Sequence, residues 1–491
     1  MIKKEYNGIL SKIIFLIKDS SVYGFGILLS KVFAFILIPF ITAHFSLEEF
    51  GYIDTFQAII LLFSLILSFG MSQSVGRYFH EYKNLKKRLV SETFFLLLIV
   101  IVIYISLYFP VVNYVSNLDN KTDTFKNILR VCYFQIPCMV IFDFSLNLLK
   151  YSFKKYLYLI ISLGQMLTSG IAVLSGIYFF DLKIINIFKI YLAVYIVFSL
   201  LSVYFIREYI SFPKKPIFFK KVIIYGLPFL FIALFKSSIP VIERWVISSQ
   251  IGKVDLGIYA LAVKLSFIID AVALAFHSTW VPFSLTQFKK NNFDQVFNVV
   301  LKTFSFGIFS LSLLAGILLP FILSSFFDSN YSNSSQFFYI LCISSSINAI
   351  SAFTDLGILL SKKSIYYLFN SMIFFSVTLV SMYFLIEPFG VIGIVVSALF
   401  GNLIKAILGY YIAQKVHKIN WNIKPIIYLL ILTILISFIS TYLDFHNSVY
   451  LFLFQSIGLI SLLLFFWFYL MNKQEKISLV DVVNKKIKTS F

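Results

Sequence analysis

Residues 22–43 read VYGFGILLSKVFAFILIPFITA. A single charge, Lys31, lies deep inside a run of aliphatic, aromatic and small residues. A bilayer core takes about 20 apolar residues per helix. The run is long enough to span, and it lacks the small-residue cleavage site of a secretion signal. By the same criterion the rest of the chain predicts thirteen more spans, at 53–75, 93–112, 128–149, 157–180, 187–206, 222–245, 256–281, 296–323, 337–360, 365–386, 391–413, 425–443 and 449–471. All are predicted helices, because strands of a membrane barrel are shorter and alternate in polarity.

Composition excludes a soluble fold. The 491 residues are 60% hydrophobic and 13% charged, with 59 Phe and 30 Tyr. A soluble domain is about a quarter charged and would expose large apolar patches with this composition. The net charge of +19 would suggest nucleic acid in a soluble protein, but here the bases collect in loops between apolar runs. With both termini on the cytoplasmic side, 29 Lys and Arg fall in inner segments, and only Lys121, Lys126, Lys183 and Lys253 fall outside. That asymmetry is the positive-inside rule, so no nucleic-acid partner is expected. Cys132, Cys138 and Cys342 make no CxxC pair and read as small core residues.

The basic linker from Arg207 to Lys221, with Pro213 and Pro216, separates the first six spans from the next six. An even number of spans per half implies a parallel repeat about an axis along the membrane normal. The segment Glu49-Phe50-Gly51-Tyr52 before the second span matches Leu256-Gly257-Ile258-Tyr259 at the eighth; in that register Lys31 falls one residue from Lys236. The predicted fold is an all-α polytopic bundle of about fourteen helices. It comprises a six-helix lobe at 1–206, a second at 222–413, an appended helix pair at 425–472 and a basic cytoplasmic tail at 473–491.

Charges inside the spans are costly, and each is a candidate for function. Arg130, Lys189 and Lys302 lie near span ends, where snorkelling suffices. Lys31, Lys236, Arg244, Lys264 and Lys405 lie deeper and are the candidate cavity cations. Lys236, Pro240, Glu243 and Arg244 share one helical face. Candidate coupling or ion-pair acids are Asp54, Asp143, Glu243, Asp270 and Asp355. Polar stripes run along the second span (Asp54, Gln57, Ser64, Ser68), the tenth (Ser344, Asn348, Ser351, Asp355) and the twelfth (Asn402, Lys405); interhelical packing explains such stripes equally well. A cationic cavity inside lipid suits an amphiphile with an anionic head. No metal-ligand or cofactor motif is present: the sequence has no HExxH pair, no Gly-rich phosphate loop and no Asp-x-Asp.

Several motifs carry a family resemblance: Asp19-Ser20-Ser21-Val22-Tyr23-Gly24, Pro39-Phe40-Ile41-Thr42, Glu49-Phe50-Gly51-Tyr52 and Phe69-Gly70-Met71-Ser72-Gln73-Ser74 in the first half. Tyr225-Gly226-Leu227-Pro228, Glu243-Arg244-Trp245, Gly257-Ile258-Tyr259-Ala260 and Trp280-Val281-Pro282-Phe283 follow in the second. With these the chain resembles the polysaccharide flippase branch of the multidrug/oligosaccharidyl-lipid/polysaccharide exporter superfamily; Glu243 stands where the family often has Asp. The resemblance implies a Wzx-like O-antigen or capsule flippase of a bacterial inner membrane. It implies an undecaprenyl-diphosphate-linked oligosaccharide as cargo, alternating access between two lobes, and a polymerase and chain-length regulator as partners. The competing readings are a cation-coupled multidrug exporter, which would centre on intramembrane acids, and a membrane-embedded polymerase or glycosyltransferase, which would need a large exposed catalytic loop.

Overall fold

The computed structural model describes residues 26, 29–107, 110, 123–212, 216–287, 293–361, 365–442 and 448–470. The Asp19–Gly24 motif, Lys121 and the basic tail 473–491 lie outside the described residues. Uniformly apolar runs fold as helices because a helix satisfies its own backbone hydrogen bonds where no water can. In chain order these are α1 (Leu29–His44), α2 (Leu47–Ser68), α3 (Met71–Tyr78), α4 (Lys86–Ser106), α5 (Asp123–Tyr151), α6 (Lys155–Phe180), α7 (Ile184–Ile206), α8 (Phe219–Val246) and α9 (Lys253–Gln287). There follow α10 (Phe293–Phe326), α11 (Ser334–Thr354), α12 (Leu356–Ser361), α13 (Ile365–Val416), α14 (Lys424–Tyr442) and α15 (Ser448–Phe465).

Eleven helices among the described residues are long and apolar enough to cross a membrane, and α1 and Lys424–Ser437 are shorter apolar helices. One of the eleven, α13, holds two expected spans joined at Gly390, whose φ of 56° and ψ of −130° break the helix. A helix therefore occupies each of the fourteen expected positions. Two expected spans are interrupted. The second span was expected to run to 75, but α2 stops at Ser68 because Phe69 and Gly70 are both left-handed, with φ of 49° and 65°. A Cβ at Gly70 would lie 2.5 Å from the Gly226 carbonyl oxygen, so glycine permits both the turn and the contact with α8. The tenth span, expected to run to 360, divides at Asp355 into α11 and α12.

The largest hydrophobic cluster of each half holds its helices together. In the first half α5 packs on α7 and α2 around Phe56, Leu97, Val140, Leu148 and Phe188. In the second, α9, α11 and α13 pack in series, with α10 against α11, around Leu265, Phe309, Ile350 and Phe353. The appended pair α14–α15 packs on α10, with Phe306 stacked on Phe466 at 3.9 Å and Gln455 donating to the Tyr339 hydroxyl at 2.8 Å. Large apolar side chains such as Phe179, Phe180, Leu200 and Tyr383 are exposed, as a lipid solvent allows and water would not.

Further contacts join the halves. The linker is fastened to α4, where the buried Glu92 accepts the backbone N–H groups of Ile217 (2.8 Å) and Phe218 (2.6 Å) through Oε2 and pairs with Arg88 (2.9 Å) through Oε1. Beside it the Ser91 hydroxyl donates to the Tyr209 carbonyl at 2.7 Å. Further along, α2 crosses α8 and α9. At the crossing with α9, a Cβ on Gly51 would lie 3.0 Å from the Gly257 nitrogen, and one on Gly257 would lie 2.1 Å from the Leu47 carbonyl oxygen. The two glycines matched in the sequence repeat are thus in backbone contact.

Candidate functional site

The crossing of α2 with α8 and α9 places an acid from one half against cations from the other. Asp54, on α2, is 5% exposed. Its Oδ2 receives Arg244 Nε at 2.7 Å and Nη2 at 2.6 Å, and its Oδ1 meets Lys264 Nζ at 3.0 Å. Both nitrogens meet the same oxygen, so Arg244 grips one side of the carboxylate and leaves Oδ1 to Lys264; hydrogen bonds between charged partners of this kind are short and strong. Arg244 also donates Nη1 to the Pro240 carbonyl at 2.8 Å and lies 5.6 Å from the centre of the Tyr259 ring. The Tyr259 hydroxyl donates to Glu243 Oε2 at 2.8 Å. Lys264 donates to Gln57 Oε1 at 2.9 Å and keeps 22% of its side chain exposed.

Lys31 extends this cluster. On α1, Phe33 and Leu37 face Gly170 of α6, while Phe35 and Ile38 join the second half's core. Lys31 belongs to the latter face, one turn from Phe35. Its ammonium sits 4.5 Å from the centre of the Phe267 ring on α9, a cation–π distance, and it interacts electrostatically with Lys264 and Asp270. Lys31 is exposed.

A second cluster lies within the second half. The polar stripes of α11 and α13 face one another: Asn402 donates to Ser344 Oγ at 2.9 Å, and Lys405, 4% exposed, donates to Asn348 Oδ1. Asp355 accepts from Asn370 at 3.2 Å through Oδ2, while its buried Oδ1 accepts no hydrogen bond. Lys236, exposed on α8, interacts electrostatically with Asp355. Asp270 accepts from the Ser345 hydroxyl at 2.9 Å and interacts with both Lys31 and Lys405, so it links the two clusters.

Nine of the ten candidate residues therefore form one chain of charges. Asp143 does not join it. It lines a separate cavity of about 100 Å³ in the first half with Ser64, Ser68, Ser72, Gln73 and Asn147. The stripe on α2 serves both places, with Asp54 and Gln57 in the charged cleft and Ser64 and Ser68 at the Asp143 cavity. Phe267 beneath Lys31 carries no sequence signal; Tyr259 beneath Arg244 and Phe50, whose ring centre lies 5.8 Å from Lys264, stand in the family motifs, which do not mark them as partners of the cations.

Residues 16–288 match the family of polysaccharide biosynthesis proteins. The chain belongs to that family. The match takes in Lys31, Asp54, Arg244 and Lys264. This polysaccharide biosynthesis protein is 25% identical over 284 residues to an uncharacterized membrane protein of Haemophilus influenzae, covering 56% of this chain and 67% of that one. A stretch of 76 residues is 32% identical to the Lsg locus putative protein 1 of the same organism, covering 16% and 19%. Among solved structures it is similar to an outward-facing multidrug resistance MATE family transporter of the MOP superfamily, with a TM-score of 0.63, 13% identity, and 82% of this chain and 94% of that one covered. The inward-facing form of such a transporter matches with a TM-score of 0.60 and 14% identity over 78% and 94%. A Vibrio cholerae MATE transporter matches with a TM-score of 0.63 and 16% identity over 83% and 97%. At these identities the likeness is one of fold.

Proposed function

We propose that the protein is a flippase that carries an undecaprenyl-diphosphate-linked oligosaccharide, an O-antigen or capsule repeat unit, from the inner to the outer leaflet of a bacterial cytoplasmic membrane. The observation that carries this reading is the meeting of Lys31, Arg244 and Lys264 from three helices between the two halves, with Lys31 exposed and Lys264 partly so. A diphosphate offers the acceptors such a cluster binds, and a cleft between halves lets the prenyl tail stay in lipid. The membership in a polysaccharide biosynthesis family supports a saccharide cargo.

In this reading the head group is held by Lys31, Lys264, Arg244 and Lys236 while the halves rock about it. Both termini face the cytoplasm. Outward movement of one negative charge down about 100 mV is worth roughly 2.3 kcal/mol, so the potential favours loading from inside. Proton uptake at Asp270 or Asp355 would reset the cycle. The polymerase and chain-length regulator would act downstream, on the delivered lipid.

The test is transport by the purified protein in vesicles loaded on one leaflet with a lipid-linked oligosaccharide, read by accessibility to a lectin or glycosidase on the other face. Flipping is expected to require the sugar diphosphate lipid. Export of small organic cations without any lipid movement would instead make the protein a drug exporter, which the MATE-like fold accommodates equally.

A further inference from the structure

We infer that Asp54 is an internal stand-in for the substrate's anionic head, occupying Arg244 and Lys264 when the cleft is empty and yielding them when a diphosphate binds. This rests on the flippase reading above. Both oxygens of Asp54 are committed to cations from the other half: Oδ2 to the Arg244 fork at 2.6 and 2.7 Å, Oδ1 to Lys264 at 3.0 Å. Arg244 is itself only 4% exposed, and an unpaired guanidinium there would be costly. The empty protein needs an anion at this point, and α2 supplies one. A diphosphate presents anionic oxygens to replace both carboxylate oxygens, one on the Arg244 fork and another on Lys264.

The route to exchange is visible in the exposure of the three cations. Lys31 is exposed, Lys264 partly exposed and Arg244 buried. An anion drawn in by Lys31 meets Lys264 next and displaces Asp54 from there inward. Lys264 keeps a neutral partner, Gln57 Oε1 at 2.9 Å, that holds its ammonium in place during the exchange. Asp54 belongs to the first half and its cations to the second, so displacement also cuts an ion-paired tie between the halves. Loading then loosens the empty-state contact, and the return of Asp54 expels the head group on the far side. The carboxylate makes movement conditional on cargo and disfavours trapping of the diphosphate.

Titration of the full-length protein in nanodiscs with inorganic pyrophosphate, followed calorimetrically, tests this. Wild type is expected to bind. Asp54→Asn should bind at least about 10-fold more tightly, because the competing carboxylate is gone, and should flip the lipid-linked oligosaccharide more slowly because release is impaired. Arg244→Gln and Lys264→Gln should both bind more weakly. A prenyl diphosphate included in the nanodisc should displace the pyrophosphate, which separates a lipid head group from a free anion as the ligand. An Asp54→Asn protein that stays folded only with pyrophosphate present would support the inference equally. If wild type binds pyrophosphate and Asp54→Asn binds no more tightly, or is not rescued by it, Asp54 is a structural ion-pair partner and the inference fails. If no form binds a diphosphate, the flippase reading itself fails, and the inference with it.

Discussion

Lys31 and Arg244 carry the same charge in unlike surroundings, and substitution should separate them. Lys31 is exposed and touches the Phe267 ring, so its worth lies in charge presented to the cleft. Lys31→Arg keeps the charge and can stack on the same ring; it should retain most activity, whereas Lys31→Gln should lose most of it with an unchanged melting temperature. A null strain complemented at equal membrane expression, scored by surface polysaccharide and by inner accumulation of lipid-linked precursor, reads the difference. Arg244 is buried against Asp54, and removing one partner of a buried pair costs about 3–5 kcal/mol. Lys264 remains on Asp54 Oδ1, so Arg244→Gln should fall near the lower end of that range, read as a drop in thermal stability. The cations were legible in the sequence because a charge inside an apolar run contrasts with everything around it. Tyr259 and Phe267 were not, since an aromatic in such a run has no contrast. Asp143 had the contrast but not the partner: helical periodicity gives the face a residue occupies, not which cavity that face reaches.

At the level of elements, hydropathy located the spans and missed what joins them. The break at Phe69–Gly70 falls inside the expected span, and the Gly226 backbone that packs against it is far away in the chain. The α2–α9 crossing gives a controlled test. Gly257→Ala would place a methyl 2.1 Å from the Leu47 carbonyl, whereas a Cβ at Gly307 meets nothing within 4 Å. Gly257→Ala should lower the melting temperature and cut transport at least about tenfold, since backbones in contact leave no room for side-chain rearrangement; Gly307→Ala should match wild type in both. The Glu92 clamp is a second case. Glu92→Ala removes the acceptor from two backbone N–H groups, and a buried donor left unpaired costs about 1–3 kcal/mol. Its melting temperature should fall, and Glu92→Gln, which keeps one acceptor oxygen, should fall less. Nothing in the sequence marked Glu92, because it follows Lys87 and Arg88 and reads as an ordinary surface charge.

For the whole molecule, the distribution of Lys and Arg predicts an orientation that labelling can check. Cysteines introduced at Asn333, beside the start of α11, should react with an impermeant maleimide from outside intact cells, and cysteines at Lys87, beside the start of α4, only after permeabilisation. The reverse pattern at both would invert the direction of transport. The contact of Gly51 with Gly257 has a consequence of another kind. Equivalent positions touching one another is what a two-fold pair of identical six-helix chains would present at its axis. In such a pair every charge would appear twice. Here, in the register that aligns the two glycines, Asp54 has Ala260 as its counterpart and Lys264 has Ala58. At this crossing the two glycines meet, but the side chains around them are not exchanged: acid lies on one side and base on the other. An anion entering at the crossing therefore finds its two walls unequal, repelled by one and drawn by the other.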